Sequence, residues 1–425
     1  MNSNKKILLI AYGFPPLISP QSLRWFYLVR ELAFKGHSID IITIKMPERF
    51  KDLLDEIPVT TEIHRTFPGF FHYFTYKYSR ESKKDADCAC VNKSSFFWKM
   101  LSSIHRAVFK FLNFLCIPDI YVEWLPFSFI KVLRLAGLKK YDVVISSSEP
   151  RTCHLVAYLL KKKVNIPWLA DFGDPWVYPI PTEKISSFKR YLLYSLESRV
   201  IRNAERITVA SEGIERLYNR RYNVKDKVYN MTQGYDPYIF SKIKVEISRN
   251  FKIVYCGSFY KKLRDPSAFF EAITEIDRDD IKVEIAGRIN EFAITIEKNY
   301  SKHIKYLGFL NHEDSLKLEK TATILLHLGN ASDMQIPGKI YEYFGAQRPI
   351  LCIEGSGGDP SSELVNKYNR GVVVENDKYQ IKKAIMKLYD FWTKGILDNE
   401  FELGVCEEFS WRKRSDILAN IIEGL

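Results

Sequence analysis

The sequence predicts an α/β protein with two Rossmann-like domains, each built on a doubly wound parallel sheet. Short apolar runs alternate with segments of helical periodicity in both halves of the chain, and this alternation is typical of parallel strands joined by helices. At 425 residues the chain is also too long for one typical core and fits two domains of about 200 residues each. We therefore expect a first domain over residues 1–235, a second over residues 236–408 and a final helix over residues 409–425.

The elements of the first domain follow from its apolar pattern. Residues 6–12 and 38–44 are apolar runs that predict strands, and residues 22–34 between them have helical spacing. The other elements predicted there are strands over 141–148, 206–210 and 227–231, a strand ending near residue 171, and helices over 151–163, 185–203 and 212–220. In the second domain we predict strands over 251–258, 281–287, 304–307, 323–328, 349–353 and 371–375, with helices between them.

The alternation breaks down between residues 46 and 137. Seven aromatic residues fall between Phe67 and Tyr78, and aromatic and aliphatic residues are interleaved with basic ones from Phe96 to Arg134. One interpretation is a helical insertion that packs on the first domain. The other is a basic, aromatic face that lies on a membrane or holds a lipid tail. Both can be true of different faces of the same insertion.

Composition narrows the class of protein. The seven cysteines form neither a CxxC pair nor a Cys/His cluster with zinc spacing, which favours a reducing cytoplasm over a disulfide framework. We expect no secretory signal, and no charge-free apolar stretch reaches the roughly 18 residues that span a bilayer. The net charge of +12 predicts an anionic partner: a nucleotide, a phospholipid surface or a nucleic acid.

Residues 336–351 predict a short helix between two strands. Pro337 suits the first helical position and Gly345 suits the left-handed residue just past the end. Free N–H groups at such a start favour a phosphate. Glu342, one turn further on, can accept hydrogen bonds from a diol such as a ribose. The N–H groups in question belong to Gly338, Lys339 and Ile340. The alternative is an ordinary buried helix with a capped start.

A second candidate phosphate site is the loop over residues 257–266. Basic side chains there stand next to a glycine ahead of a helix, a suitable cradle for a pyrophosphate. It is not a Walker loop, because the Gly-Lys-Ser/Thr core is missing. A solvated basic turn is the alternative. The residues predicted to contribute are Gly257, Ser258, Lys262 and Arg264.

Two carboxylates, Asp171 and Asp174, follow a strand of the first domain. Open α/β sheets place their ligands beyond the carboxyl ends of their strands, so a role in binding is one interpretation. The other is that both side chains cap the next turn through their own backbone.

These motifs together resemble those of retaining glycosyltransferase family 4. The strings that carry the resemblance are Asp171-Phe-Gly-Asp-Pro-Trp176 and Pro337-Gly-Lys-Ile-Tyr-Glu-Tyr343, in a branch found in bacterial surface-polysaccharide synthesis. Three further stretches are similar to their counterparts in the family. They are the first loop, Gly13 to Arg24, the string Gln233-Gly-Tyr-Asp-Pro237 and the closing helix over residues 409–425. The resemblance implies the GT-B architecture, in which two domains face a cleft and the last helix crosses back onto the first domain.

The resemblance also implies roles for single residues. Glu342 matches the glutamate that binds the donor ribose, Arg264 is the best match for the basic residue on the diphosphate, and Lys262 is second. Arg288 ends a strand where relatives hold the nucleobase. Asp171 and Asp174 would orient acceptor or sugar hydroxyls. The predicted catalytic residues are thus Asp171, Asp174 and Arg264.

The chain departs from the family pattern at several positions. Pro20-Gln21 stand in the first loop where a glycine is usual, and Gly173 stands where the branch usually has arginine. Many relatives outside the branch carry a catalytic-site histidine near the position of Gly173. This chain has no histidine there, and His154 is only a weak substitute. The first of two glutamates in the donor loop is replaced by Met334, with Asp333 beside it.

The predicted function is therefore transfer of a sugar from a UDP- or GDP-linked donor to a lipid-linked saccharide, with retention of configuration. No metal site is predicted, because the basic loop and the helix start would neutralise the leaving diphosphate. We expect a cytoplasmic protein, at most peripheral on an anionic inner membrane face. The alternative is a non-catalytic nucleotide- or glycan-binding subunit; a nucleic-acid partner has no recognition motif to support it.

Overall fold

The computed structural model describes residues 4–46, 56–73, 116–177, 185–244, 250–260, 263–289, 292–330, 332–356 and 358–425. Within these residues the chain forms two α/β domains, each with a fully parallel sheet. The first sheet contains β1 (Lys6–Ala11), β2 (Ser38–Ile44), β3 (Thr61–Thr66), β4 (Val143–Ser148), β5 (Trp168–Phe172), β6 (Arg206–Val209) and β7 (Val228–Asn230). The second contains β8 (Phe251–Cys256), β9 (Ile281–Ala286), β10 (Ile304–Tyr306), β11 (Ile324–Leu328), β12 (Ile350–Ile353) and β13 (Gly371–Val374).

The strand order is that of two doubly wound sheets. Among the described strands it runs β3-β2-β1-β4-β5-β6-β7 in the first domain and β10-β9-β8-β11-β12-β13 in the second. The order reverses direction between β1 and β4 and between β8 and β11, and ligands of such sheets bind beyond the strand ends at these reversals. The predicted fold class is therefore confirmed.

Helices cover the faces of both sheets. Those of the first domain are Pro20–Phe34, Leu125–Leu138, Thr152–Lys161, Ser187–Asn203 and Glu212–Tyr222. Those of the second are Pro237–Lys242, Ser267–Ile276, Phe292–Thr295, His312–Lys320, Lys339–Ala346, Pro360–Lys367 and Lys378–Thr393, and Trp411–Glu423 follows them. Their apolar sides pack on strands such as β1 and β8, whose side chains are almost completely buried.

The prediction of a helical insertion was wrong for part of the region 46–137. Residues Thr61–Thr66 form β3, which pairs in parallel with β2 at the edge of the first sheet. Helix Leu125–Leu138 lies on the same sheet, with Val132 and Leu135 in its core. The interpretation of an internally packed segment thus fits this helix, whereas residues 74–115 lie outside the described part of the chain.

The predicted ends of the helix after β11 also need correction. The helix is Lys339–Ala346, so Pro337 precedes it and Gly338 is its cap. The left-handed residue is Gln347, with φ of 56°, and Gly345 lies inside the helix. A Cβ on Gly345 would lie 2.5 Å from ring atoms of Tyr235 and Phe240, so this glycine permits close packing instead of ending the helix.

The last helix packs against the first domain. Leu418 and Ile422 of Trp411–Glu423 belong to the same buried cluster as Leu9 and Trp25. At the start of this helix, the Trp411 ring stacks on Tyr27 with centroids 5.6 Å apart. The chain therefore returns from the second domain to the first, where its last helix packs on β1 and on helix Pro20–Phe34.

Candidate active site

A cavity of about 600 Å³ lies between the two domains at the carboxyl ends of their strands. The first domain contributes the end of β1, the loop before helix Pro20–Phe34, and the ends of β4 and β5. The second contributes the loop after β8 and the loop from β11 to helix Lys339–Ala346. Lining residues used below are Tyr12, Gln21, His72, Tyr121, Ser148, Glu149, Gly173, Asp174, Ser211, Arg264, Asn330, Met334, Gln335 and Gly338.

Arg264 lines this cavity, as predicted from its loop. Its backbone N–H donates to Tyr260 O at 2.7 Å, which closes a tight turn after β8. Its Nε donates to Asn330 Oδ1 at 2.5 Å, so the guanidinium is held at the end of β11 with nitrogens left for a ligand. In its described residues, the loop therefore presents the oriented guanidinium of Arg264 to the cavity.

The other residues predicted for the donor lie around this point. Gly257 and Ser258 directly follow β8, where the Ser258 carbonyl accepts from Tyr255 Oη at 3.0 Å, and neither lines the cavity. Arg288 also lies outside the lining and places its guanidinium 5.4 Å from the Phe309 ring. Lys262 lies outside the described residues. The structure thus brings Arg264 into the cavity lining, whereas Gly257, Ser258 and Arg288 are not part of it.

The start of helix Lys339–Ala346 reaches the cavity through Gly338. Contrary to the prediction, the Ile340 N–H is engaged, because it donates to the Pro337 carbonyl at 3.1 Å. The Lys339 side chain points away from the cavity lining: its Nζ donates to Glu319 Oε1 at 2.8 Å and also to Glu342. The helix start therefore offers backbone groups at Gly338 and Lys339 and keeps the lysine for two carboxylates.

Glu342 lines a smaller adjoining cavity of about 50 Å³, together with Gly338, Tyr27 and His312. Although burial opposes it, the Lys339 ammonium lowers the pKa of Glu342, so this carboxylate is ionised. The pKa of Glu319 is raised to about 7 by burial, against the attraction of the same ammonium. The Lys339 ammonium thus forms ion pairs with both Glu319 and Glu342 at helix Lys339–Ala346.

Asp171, predicted to orient acceptor or sugar hydroxyls, is not among the residues that line the cavity. It is buried, and its two oxygens accept from five side chains. These donors are Gln21 at 2.8 Å, Arg24 at 3.2 Å, Trp25 at 3.0 Å, Ser147 at 3.3 Å and Thr208 at 2.8 Å. Asp171 is a positioning residue that fixes Gln21 and the first helix against β5.

Asp174, by contrast, lines the cavity and contacts the opposite domain. Its Oδ1 accepts from the side-chain amide of Gln335 at 2.7 Å. Next to this contact the Ser211 hydroxyl donates to the Met334 carbonyl at 2.5 Å. The loop from β11 to helix Lys339–Ala346 is therefore docked on the carboxyl edge of the first sheet.

Met334 occupies the place of the missing glutamate. Its side chain is buried among core residues of the first domain, and Met334 is also among the residues that line the cavity. The neighbouring Asp333 is not among the lining residues. Position 334 thus provides no carboxylate to the cavity. The Asp333 side chain would have to reorient towards the cavity to provide one.

Several residues that line the cavity were not identified from the sequence. The histidine that was named from the sequence, His154, does not line the cavity: it is fully buried, with its Nδ1 2.7 Å from Ser146 Oγ. His72 lines the cavity instead, together with Tyr12 and Ser148. Nothing in the local sequence pattern singles out His72, because it lies among the aromatic residues that follow β3.

Two sequence families match the chain. Residues 106–229 match the family described as glycosyl transferase 4-like domain, and residues 250–390 match the family described as glycosyl transferases group 1. Together the two matches cover more than half of the chain and both domains. The chain is a glycosyltransferase of this type. The cavity between its two domains is thus the candidate active site of a glycosyltransferase.

Solved structures share the fold of this glycosyltransferase over nearly the whole chain. A glycosyltransferase from Rickettsia africae aligns with a TM-score of 0.64 and 15% identity, covering 99% of this chain and 98% of the other. Anabaena HepE in complex with UDP gives 0.65 and 12%, covering 99% and 100%. Sucrose-phosphate synthase from Thermosynechococcus elongatus gives 0.66 and 14%, covering 98% of each chain. No curated protein sequence gives a significant match.

In the part of the chain that the structure describes, two groups of side chains could hold a metal ion, and none of their residues is among those that line the cavity. One group is His327, Cys352 and Asp359 in the second domain, and the other is Asp40, Glu62 and His64 at the edge of the first sheet. In the second group Asp40 already accepts from Lys139 Nζ at 2.9 Å and from His64 Nε2 at 2.7 Å. None of the described helices is long and apolar enough to cross a membrane.

Proposed function

We propose that this glycosyltransferase transfers a sugar from a UDP- or GDP-linked donor to a lipid-linked saccharide, with retention of configuration. The observation that carries the proposal is that Arg264 and the helix start at Gly338 share one interdomain cavity with Asp174. A cation and backbone N–H groups suit a diphosphate, and the opposite wall leaves room for an acceptor. The product would enter a bacterial polysaccharide, an O-antigen or a capsule.

The donor would lie on the second domain. The Arg264 guanidinium, oriented by Asn330, would bind the diphosphate together with the N–H groups at Gly338 and Lys339. Glu342 would accept from the ribose hydroxyls at the adjoining small cavity. Ribose hydroxyls can then take over part of the hydrogen bonding that Lys339 now supplies, which leaves Lys339 paired with Glu319.

Catalysis would rest on the stabilisation of charge on the leaving diphosphate. As the bond to the sugar breaks, negative charge grows on the phosphate oxygens, and the oriented Arg264 guanidinium stabilises it without a metal ion. The leaving diphosphate itself would accept the proton of the attacking hydroxyl, on the same face as the departing group. Asp174 would orient acceptor hydroxyls, whereas Asp171 would hold Gln21 in place.

Nucleotide release from a panel of UDP- and GDP-sugars, with a polyprenyl-diphosphate-linked saccharide as acceptor, tests this function. Release should depend on the acceptor, and NMR of the product should show the anomeric configuration of the donor. An inverted product would contradict retention. Failure of wild-type protein to bind either UDP or GDP would contradict the donor class.

A second candidate is a non-catalytic nucleotide- or glycan-binding subunit. The position of Met334 favours it, because this side chain packs into the first domain where a carboxylate would otherwise reach the sugar. Tight nucleotide binding without turnover on any donor of the panel would support this candidate. Acceptor-dependent release of nucleotide would exclude it.

A further inference from the structure

Three polar groups in the wall of the interdomain cavity have no hydrogen-bond partner among the described residues. They are Tyr12 Oη, His72 Nε2 and Ser148 Oγ, each buried, and all three residues line the cavity from the first domain. Buried polar groups are normally paired, so a cluster of unpaired ones in a cavity points to a ligand that pairs them. No charged group is among them.

Tyr12 is fixed by the sheet, so that only its hydroxyl is left unpaired. It directly follows β1; its N–H donates to Cys153 Sγ at 3.3 Å and its carbonyl accepts from Thr43 Oγ1 at 2.8 Å. Its ring packs on Trp124 with centroids 5.1 Å apart and nearly perpendicular planes. Burial raises the pKa of this phenol, so it stays protonated and can both donate and accept.

His72 is held by a carboxylate from a distant segment. The Glu123 side chain accepts from the backbone N–H groups of Phe71 and His72, both at 3.1 Å. The turn begins at Gly69, whose φ of 105° suits glycine. These contacts aim the imidazole at the edge of Tyr12, with centroids 5.4 Å apart. Burial lowers the pKa of His72, so the ring is neutral, with one donor and one acceptor nitrogen.

We propose that Tyr12, His72 and Ser148 form the subsite that binds hydroxyl groups of the acceptor saccharide, with the Tyr121 ring beside them. A sugar hydroxyl both donates and accepts, as do a phenol, a serine hydroxyl and a neutral imidazole together. Tyr121, 4.7 Å from the Tyr12 ring by centroids, adds an aromatic surface for the C–H face of a sugar. This inference rests on the proposed function, because it names the acceptor side of the same cavity.

The charges around the cavity favour a neutral sugar at this wall over a phosphate. Among the described residues of the first domain, the charged side chains that line it are Glu149 and Asp174, both acidic, whereas Arg264 belongs to the opposite wall. An anionic group is therefore attracted to the second domain and repelled from the first. The donor diphosphate and the acceptor sugar are separated by charge within one cavity.

Binding of simple glycosides tests the subsite on the full chain. The probes are the methyl glycosides of glucose, galactose, mannose, N-acetylglucosamine and rhamnose, measured by saturation-transfer difference NMR with saturating UDP or GDP. We expect at least one glycoside to bind wild-type protein. The double variant Tyr12→Phe with Ser148→Ala, and His72→Gln alone, should each weaken it by about tenfold or more, since each removes or alters hydrogen bonds without changing the shape much.

The control is Tyr379→Phe, which removes a phenol from an exposed side chain of the second domain. It should leave glycoside binding unchanged, and all variants should bind UDP or GDP within about twofold of wild type. Equal glycoside binding in wild type and in the Tyr12, Ser148 and His72 variants, or no binding of any glycoside, would overturn the subsite. Glycoside binding is also measured without nucleotide, which tests the subsite independently of the donor. Failure of wild-type protein to bind UDP or GDP would therefore count against the proposed function and not against the subsite.

Discussion

The side-chain amide of Gln335 donates a hydrogen bond to Asp174 across the cleft, with 2.7 Å between nitrogen and oxygen. Gln335 belongs to the loop that leads to the donor helix, and Asp174 belongs to the loop after β5. The neighbouring bond from Ser211 to the Met334 carbonyl joins the same two loops. The position of the donor loop is therefore coupled to the closure of the two domains.

This contact predicts a shift in domain closure when it is removed. Gln335→Ala should cost the closed form about 1 kcal/mol, the net value of one hydrogen bond, or roughly a fivefold shift toward open forms. Small-angle X-ray scattering with and without UDP would measure it as a larger radius of gyration. Gln335→Glu is the matched variant, since it places a second carboxylate against Asp174 and should open the cleft further. Identical scattering from all three proteins would contradict the coupling.

A second prediction concerns the donor site. Arg264→Ala should raise the Kd for UDP or GDP by about ten- to a hundredfold, because a hydrogen bond to a charged group contributes about 1.5–3 kcal/mol. Glu342→Ala should also weaken nucleotide binding, through lost contacts with ribose. Isothermal titration calorimetry measures both. Arg264→Lys keeps the charge and should lose less than Arg264→Ala.

The control for the donor site is Lys317→Ala, which removes a half-exposed lysine paired with Glu313 on a nearby helix. It should bind nucleotide as the wild type does. Unchanged affinity for both UDP and GDP in Arg264→Ala and Glu342→Ala, with the fold intact by circular dichroism, would show that the donor lies elsewhere.

A third prediction follows from the buried carboxyl of Glu319. Its pKa is raised from 4.5 to about 7, so the folded protein holds this proton where the unfolded chain has lost it. The contribution of Glu319 to stability is therefore present below about pH 4.5 and is lost as the pH rises toward 7. The loss is on the order of 2–3 kcal/mol.

Glu319→Gln should remove this dependence, because the amide stays neutral and can still accept from Lys339. Urea unfolding of wild type and variant at pH 5 and pH 8 gives the comparison: the variant should gain stability relative to wild type at the higher pH. Since His154 and His327 titrate in the same way in both proteins, the difference isolates Glu319. A difference that does not change with pH would contradict the assignment.

The fold was predictable wherever a buried element appears in the sequence as an apolar run. Residues 38–44 were predicted as a strand and form β2 with the same bounds, because both faces of a strand inside a parallel sheet are apolar. Strand β3 was missed because Thr61–Thr66 is an edge strand with a single aliphatic residue, Ile63. Edge strands tolerate polar residues, so they resemble loops in the sequence.

The site was predictable only in part, since its contacts join residues far apart in the chain. Arg264 and Asp174 line the cavity, as the ends of predicted strands suggested. The role of Asp171 was missed because its donors range from Gln21 to Thr208. No local pattern shows that so many side chains meet one carboxylate.

Two departures from the family pattern turn out to be neighbours. A Cβ on Gly173 would lie 3.4 Å from Oε1 of Gln21, so the glutamine stands beside the position where relatives usually have arginine. The Gln21 amide is held there by Asp171 and by Ser147 at 2.7 Å. The Gln21 side chain therefore lies in the space next to Gly173. The sequence alone does not show this, because the two residues come together only when the start of helix Pro20–Phe34 packs beside the end of β5.

A fourth prediction concerns metal ions. Turnover should persist in excess EDTA, because Arg264 and backbone N–H groups are proposed to neutralise the leaving diphosphate. The measurement is nucleotide release after dialysis against the chelator, with and without added Mg²⁺ or Mn²⁺. A complete loss of activity that either ion restores would mean that the metal-independent mechanism is wrong.

The last prediction is that the protein binds an anionic membrane surface through the segment from Phe67 to Arg134. In its described part, helix Leu125–Leu138 buries Val132 and Leu135 and turns Ile130, Leu133 and Leu138 outward. Lys131 and Arg134 lie on the same helix, and Lys77, Arg80, Lys99, Arg106 and Lys110 lie outside the described residues. Exposed apolar side chains beside basic ones suit a lipid interface.

Co-sedimentation with vesicles containing phosphatidylglycerol, against neutral vesicles, should show selective binding that high salt weakens. Each basic residue near the surface contributes on the order of 1 kcal/mol, screened over about 8 Å at physiological ionic strength. Lys131→Glu with Arg134→Glu should therefore weaken binding by roughly tenfold or more. The matched control, Lys383→Glu with Lys387→Glu, makes the same change in net charge on the exposed face of a second-domain helix and should bind as wild type does. Equal, negligible sedimentation with both kinds of vesicle would leave this segment as internal packing, and the lipid-linked acceptor would then rest on family resemblance alone.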